Sequence, residues 1–332
     1  MISAFVRREE TTSLTGQVTR MAAKHRFQRS ACRAGRERLI EAVGAARGGD
    51  EAGQMRVAAA LAWVAFACPD AIGPVYDTVA AAWLGGRESP EVPPGLPEAP
   101  LDAGFWAAFW SVVDDAEQGY DAASITARVA ALGGAVHPDF EAIAEDCARR
   151  HSGAAAALTN PVPGRTDLDE LAACAERSLG GTLYRMIVEQ GYDLEVLDRE
   201  AIALGALPPS LRYLNTRILQ MHDVWHLVAG YQTTASHEIA ITAFQLAQFG
   251  HNYSAMFLAV ITAISWMMQP AGFGILMQLI AEAWRHGRTA PALMDIHWEA
   301  EWNNSVDAIR ESHGIPVYES ALPANLLEAA AA

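Results

Sequence analysis

Apolar residues recur at three- and four-residue spacing along most of this chain, and this periodicity constrains the fold more than any other feature. It is clearest in residues 55–68, 104–120 and 238–250, each of which contains alanine and aromatic residues. Such spacing places the apolar side chains on one face of a helix. The alternation of apolar and polar residues that indicates β-strands is scarce. The sequence therefore predicts an all-α protein of many helices.

Two proline-containing segments divide this helical pattern. Residues 88–100 hold five prolines, and residues 159–167 hold two prolines and a glycine. Neither segment can form the interior of a helix. We therefore predict an N-terminal helical extension over residues 1–86 that is partly disordered at its start, a Pro-rich linker over 87–100, and a helical domain over 101–332.

The charge is unevenly distributed along the 332 residues. The formal net charge is −15, yet residues 1–48 contain ten basic and only four acidic residues. The acidic remainder argues against nucleic acid as a partner. The basic N-terminal arm is either a solvated terminus or a segment that contacts anionic headgroups at a membrane surface.

The most apolar region is residues 255–284, which Pro270 divides in two. Each half has fourteen residues or fewer and is too short to span a bilayer, so we expect a helical hairpin. One interpretation is an ordinary buried hairpin, and the other is the wall of a pocket for a long isoprenoid chain. For the second interpretation the expected lining residues are Phe257, Val260, Ile264, Met268, Ile275 and Met277.

Residues 219–238 contain three histidines, an aspartate and a glutamate. On a helix His222, His226 and Asp223 fall at about 0°, 40° and 100°, so they share one face. Glu238 opens the next helix and can reach back across the turn. Two imidazoles with one or two carboxylates suit zinc, and also iron, manganese or cobalt. The sequence thus predicts a metal site on a helix-turn-helix pair, with Asp223 either binding the ion or orienting a histidine.

Other interpretations of these residues remain open. A glutamate in the first turn of a helix is favoured by the helix dipole without any metal, and a single histidine is more often a hydrogen-bonded core residue. Arg217 is the candidate for binding a phosphate or carboxylate headgroup, with pairing to a structural carboxylate as the alternative. Gly230 leaves room for a ligand or for a closely packed helix.

The pattern His222-Asp223-x-x-His226, followed after eleven residues by Glu238, resembles the signature of the coenzyme Q biosynthesis protein 4 family. The match is clear over residues 177–315 and extends back to about 101. It is supported by the stretch RSLGGTLY, by Arg217 and Gly230, and by a closing block that includes Gly287, Arg288, Ala290, Pro291, Trp298, Glu299, Trp302, Arg310, Gly314 and Ile315.

This resemblance implies an all-helical homodimer with a divalent metal, usually zinc, on His222, Asp223, His226 and Glu238. It also implies a lipid pocket near the metal and, in a bacterium, a cytoplasmic protein attached peripherally to the inner membrane. The implied activity replaces the ring C1 carboxylate of a polyprenylated benzoate intermediate by hydroxyl, an oxidative decarboxylation, with other ubiquinone biosynthesis enzymes as partners.

Two further functions stay open at this point. A non-catalytic scaffold could present the quinone precursor, or another isoprenoid lipid, to the biosynthetic enzymes. A metallohydrolase is less favoured, because Asp223 is one methylene shorter than the general base of an HExxH helix.

This chain departs from the family at several positions. Between Glu238 and Gly250 the family usually has a lysine and a glutamate, where this chain has Thr242 and Gln245. The family's glycine before the last ligand is His237. These changes leave the predicted metal ligands in place. They bear on which isoprenoid substrate the protein accepts.

Overall fold

The computed structural model describes residues 14–31, 36–86, 90, 92–191, 199–200 and 204–331. Within these residues the chain is helical and has no strand, so the all-α prediction is confirmed. The helices are α1 (Leu14–Ser30), α2 (Arg36–Arg47), α3 (Glu51–Phe66), α4 (Ile72–Trp83), α5 (Ala103–Asp115), α6 (Ala122–Leu132), α7 (Asp139–Arg150), α8 (Leu168–Ala172), α9 (Leu179–Gln190), α10 (Pro209–Ala229), α11 (Ala235–Phe249), α12 (Asn252–Met268), α13 (Phe273–Thr289), α14 (Val306–His313) and α15 (Leu326–Ala331).

The helix boundaries follow from capping residues and prolines. Asp50 begins α3 by accepting a hydrogen bond from the Gly53 amide, and Asp102 begins α5 in the same way with the Phe105 amide. Such caps satisfy backbone donors that the first turn leaves free. The described residues of the two proline-containing segments, 92–100 and 159–167, are not helical.

The N-terminal helices cover the apolar hairpin. Helix α3 packs against both α2 and α12, and α4 packs against α13. In α3 every residue from Gly53 to Phe66 except Arg56 is buried. Residues 1–13, where we expected disorder, lie outside the described residues. The division of the chain into an extension, a linker and a domain stays a prediction.

The hairpin consists of α12 and α13, joined by a 3₁₀ turn over Pro270–Gly272. Because α3 packs against α12, part of the apolar surface of the hairpin is buried in the core. No helix in the described part of the chain combines the length and apolarity that crossing a bilayer requires.

The helix pair α10 and α11 carries the candidate metal ligands. Gly230 ends α10 and Gly250 ends α11, both in the left-handed conformation (φ of 81° and 62°), which glycine adopts without steric cost. Thr234 caps the start of α11. The intervening turn is held by the C-terminal segment, because the Ala235 amide donates to Glu328 and the Thr234 hydroxyl donates to the Ala324 carbonyl.

Candidate metal centre and its cavity

Three of the four predicted metal ligands form one compact group. His222, His226 and Glu238 each offer a ligand atom, and these atoms all lie within 4.8 Å of one another. His226 Nε2 is 3.4 Å from Glu238 Oε1, and His222 Nε2 is 3.7 Å from Glu238 Oε2. Ligand atoms around a tetrahedral zinc with bonds of about 2.1 Å are separated by roughly 3.4 Å. The spacing therefore fits a single small divalent ion.

The hydrogen bonding of His226 provides a test of that fit. Its side chain is 1% exposed, and its Nδ1 lies 3.2 Å from the Tyr231 carbonyl oxygen. A carbonyl only accepts, so Nδ1 carries the proton and Nε2 of the neutral ring has a free lone pair. That buried Nε2 has no hydrogen-bond partner and faces the Glu238 carboxylate. A cation between these two acceptors satisfies both, as in metal sites where the second ring nitrogen binds a backbone carbonyl.

The ionised carboxylate of Glu238 favours binding of a cation. Burial raises the pKa of Glu238, but the contact with His226 and the charges of His222 and His226 outweigh it, so the pKa lies below its ordinary value. Burial lowers the pKa of His222, but the contact with Asp223 and the charge of Glu238 outweigh it, so this pKa is raised. Glu238 is therefore ionised at neutral pH, the state in which a carboxylate can bind a metal ion.

Asp223 lies beside the compact group, with Oδ1 3.4 Å from His222 Nδ1. It is the neighbour that can orient the His222 ring, and it also lines the cavity described next. This position fits the orienting role, and the role of Asp223 as a ligand stays a prediction because Asp223 is not part of the compact group.

A cavity of about 690 Å³ lies against the compact group. Its wall is formed mainly by α6, α7, α10, α11 and α12. Leu276 of α13, Leu327 of α15, and Leu204 and Leu207 before α10 also contribute. His222, Asp223 and Glu238 line it, and most of the other lining residues are apolar, including Ile125, Val136, Phe140, Leu211, Ile218, Leu219, Ile239, Met256, Phe257, Ile261, Ile264 and Leu276. Ligand sites are typically apolar cavities of roughly 300–1,000 Å³ with a few polar groups.

Of the six hairpin residues expected to line a pocket, the structure brings two to this cavity, Phe257 and Ile264. Val260 and Met277 are completely buried and are not among the lining residues, because α12 and α13 also pack against α3 and α4. Met268 packs at the edge of the core, and Ile275 is 36% exposed.

Gly230 and Arg217 also lie away from the cavity wall. A Cβ added to Gly230 would come within 2.5 Å of Val317 Cγ1, so the glycine permits close approach of the C-terminal segment. The Arg217 guanidinium forms a bidentate pair with Glu299, with Nη2 2.9 Å from Oε2. In the structure Arg217 thus pairs with a carboxylate, which was the alternative to binding a headgroup.

Removal of this carboxylate should destabilise the fold. Arg217 is 6% exposed, and Glu299→Ala leaves its charge buried without a partner. Breaking a fully buried pair costs about 3–5 kcal/mol, and the 43% exposed side chain of Glu299 reduces this, so we expect a loss of roughly 2 kcal/mol. Urea denaturation measures it, with Glu311→Ala, an exposed position, as the control. Equal stability of the two variants would show that the pair is not structural.

Sequence reasoning did not find all the polar residues of the cavity. Asn215, Gln245 and His251 line it together with the candidate ligands. Gln245 was noticed only as a departure from the family, and nothing in the sequence marked Asn215. The walls from α6 and α7 were also missed, because no motif connects them to α10 and α11.

The helical fold, the His–Glu group and the adjoining cavity define an all-α protein with a candidate metal site in the wall of a mostly apolar, ligand-sized cavity. The profile of the family described as "Coenzyme Q (ubiquinone) biosynthesis protein Coq4" matches residues 124–319, which is more than half of the chain. The chain belongs to this family, and the resemblance inferred from its motif is confirmed. The first 123 residues lie outside the matched range.

Curated relatives agree with this assignment. The mitochondrial ubiquinone biosynthesis protein COQ4 of Eremothecium gossypii is 27% identical over 151 residues, which are 46% of this chain and 45% of the relative. The human mitochondrial COQ4 homolog is 28% identical over 153 residues, 45% of this chain and 54% of the relative. The chain thus spans about half the length of the curated relatives it matches.

One solved structure is also similar. It is the crystal structure of a protein named for ubiquinone biosynthesis from Nostoc punctiforme PCC 73102, with 26% sequence identity and a TM-score of 0.48. The similarity covers 64% of this chain and 97% of that one.

Proposed function

We propose that this protein binds a divalent metal ion through His222, His226 and Glu238, with Asp223 as a fourth ligand or an orienting group, and acts in ubiquinone biosynthesis on a polyprenylated hydroxybenzoate. The observation that carries the proposal is the position of the compact group in the wall of a mostly apolar cavity. An ion held there would lie next to any ligand in the cavity.

Zinc is the metal we propose, with iron, manganese or cobalt as the other ions that this donor set suits. Two imidazoles and a carboxylate are typical zinc ligands, and catalytic zinc sites leave one position for water or substrate. When bound, such an ion would act as a Lewis acid on an oxygen of the ligand. The residues of this chain contribute the ionised Glu238 and the fixed tautomer of His226.

The apolar wall suits the tail of the ligand. Phe257, Ile261 and Ile264 from α12 and Phe140 from α7 line the cavity. Each methylene group transferred from water to such an environment contributes about 0.8 kcal/mol. A prenyl tail would therefore supply most of the binding free energy, and the polar groups would position the aromatic ring.

The proposed reaction breaks the bond between ring C1 and its carboxylate and forms a carbon–oxygen bond in its place. Carbon dioxide leaves, and the ring undergoes a two-electron oxidation. Counted from the neutral carboxylic acid, water supplies the oxygen atom, two protons are released, and two electrons pass to an oxidant such as dioxygen, because zinc has no redox chemistry of its own.

Family membership supports proposals about the oligomeric state, membrane attachment and partner enzymes of the protein. We propose a homodimer that attaches to the cytoplasmic face of a bacterial inner membrane and works with other enzymes of ubiquinone synthesis. Attachment at the surface fits a tail that must pass between a bilayer and the cavity.

Deletion and complementation in the source organism test this function. Deletion of the gene should lower ubiquinone and cause a prenylated intermediate that keeps its C1 carboxylate to accumulate, measured by mass spectrometry of lipid extracts. The wild-type gene should restore ubiquinone. Ile264→Trp fills the cavity and should restore less than about a tenth of the wild-type ubiquinone level, while the purified variant keeps its metal.

The matched control is Ile275→Trp, which makes the same change at a position that does not line the cavity. It should restore ubiquinone as the wild type does. Unchanged ubiquinone and no accumulated intermediate in the deletion strain would overturn the proposed function. Accumulation of a different pathway intermediate would favour a scaffold for other enzymes over a decarboxylase.

A further inference from the structure

The cavity contains polar groups besides the candidate metal ligands. Gln245 lies seven residues after Glu238 on α11, and Asn215 lies seven residues before His222 on α10. Seven residues are two helical turns, so each lies on the same face as its ligand and about 10 Å along the helix axis. His251, at the start of α12, joins Asn215. All three line the cavity.

Asn215 and His251 are hydrogen-bonded to protein groups. His251 Nε2 lies 3.0 Å from Asn215 Oδ1, which only accepts, so Nε2 carries the proton and Nδ1 accepts from the Ser254 hydroxyl at 2.9 Å. The Asn215 amide donates to the Leu211 carbonyl. Burial, with a contribution from the charge of His222, lowers the pKa of His251 to about 3. This network is uncharged at neutral pH and fixes that part of the wall.

Gln245 is different, because the nitrogen of its side-chain amide has no hydrogen-bond acceptor. The residue is 3% exposed, and its Nε2 is buried without a hydrogen-bond partner. Buried polar groups in folded proteins are nearly always paired, and because Gln245 lines the cavity, a ligand bound there is a nearby source of a partner. An oxygen atom on a ligand could accept a hydrogen bond from this amide nitrogen.

The charged side chains around the cavity indicate whether the ligand's polar groups are charged or neutral. Among the described residues that line it, none is lysine or arginine, whereas Glu141, Asp223 and Glu238 are acidic. Arg217 does not compensate, because Glu299 holds it. A phosphate or carboxylate on a ligand would therefore find no lysine or arginine in the described wall and would have to be bound near the candidate metal group.

We propose that Gln245 is a specificity-determining residue that hydrogen-bonds an uncharged oxygen, such as a hydroxyl, ether or carbonyl group, on the aromatic ring of an isoprenoid ligand. This inference rests on the proposed function, because it takes the ligand to be a prenylated ring in this cavity. It adds a second attachment point for the ring, separate from the metal.

A comparison of two probes that differ by one oxygen tests this assignment. The metal-loaded protein is titrated with 2-farnesylphenol and with farnesylbenzene, and tryptophan fluorescence reports the dissociation constants. One hydrogen bond between uncharged groups corresponds to about tenfold in affinity, so the wild type should prefer the phenol by about tenfold. Gln245→Leu should bind farnesylbenzene as the wild type does and lose the preference.

Gln190→Leu makes the same change at an exposed position of α9 and should keep the tenfold preference. Metal content, measured on every variant, should not change. A preference that survives in Gln245→Leu assigns the oxygen contact to the metal site and overturns the proposal, as does a wild type without preference. If neither probe binds the wild type, the proposed isoprenoid cavity fails, and this inference fails with it.

Discussion

His226→Ala is expected to reduce the metal content of the purified protein from about one ion per chain to less than about a tenth of that. The substitution removes the buried Nε2 that faces Glu238, and with it one of the three atoms that lie within 4.8 Å of one another. Loss of a group that merely orients a ligand already costs roughly 10–100-fold in metal affinity, and loss of a ligand costs more. Elemental analysis after dialysis measures the result.

His297→Ala is the matched control for this prediction. Its side chain is 84% exposed and is not part of the compact group. This variant should keep the wild-type metal content. If His226→Ala kept it as well, the ion would be bound elsewhere, and the hydrogen bond of His226 to Tyr231 would be purely structural.

Gly153→Ala is expected to lower the free energy of unfolding by about 3 kcal/mol. Gly153 lies in the 3₁₀ segment Ser152–Leu158, where it approaches the end of α11. A Cβ added there would overlap the Gln248 carbonyl oxygen, which is backbone and cannot rotate away. Overpacking of this kind costs about 1–3 kcal/mol, and a contact between two backbone segments belongs at the upper end.

The measurement is urea denaturation followed by far-UV circular dichroism. Gly164→Ala serves as the control, because an added Cβ at Gly164 meets nothing within 4 Å. It should change stability by no more than about 0.5 kcal/mol. A similar midpoint for the two variants would show that the close approach of the 3₁₀ segment to α11 does not hold the fold together.

Features that depend on neighbouring residues could be predicted from the sequence. The periodicity of residues 238–250 corresponds to α11, and the break at Pro270 corresponds to the turn between α12 and α13. The pair His222 and His226 converges because a helix brings positions four apart onto one face. Glu238 follows after a short turn, so its approach to both histidines also required little beyond local geometry.

Tertiary packing decided the roles that depend on residues far apart in the chain. Arg217 has the same helical surroundings whether it binds a ligand or a carboxylate, and the position of Glu299, 82 residues away, decides for the carboxylate. Ile264 and Val260 are equally apolar neighbours on α12, yet only Ile264 lines the cavity. A helix that is apolar on all sides does not reveal which neighbour covers which side.

The sequence by itself therefore determined the helical class, the pattern of candidate metal ligands and the family of this protein, because each of these depends on spacing along single helices or across one short turn. The cavity, the burial of α12 under α3 and the unpartnered amide of Gln245 were decided by the tertiary structure alone. A cavity is the space that several helices leave between them, and its shape depends on how all of their side chains pack together.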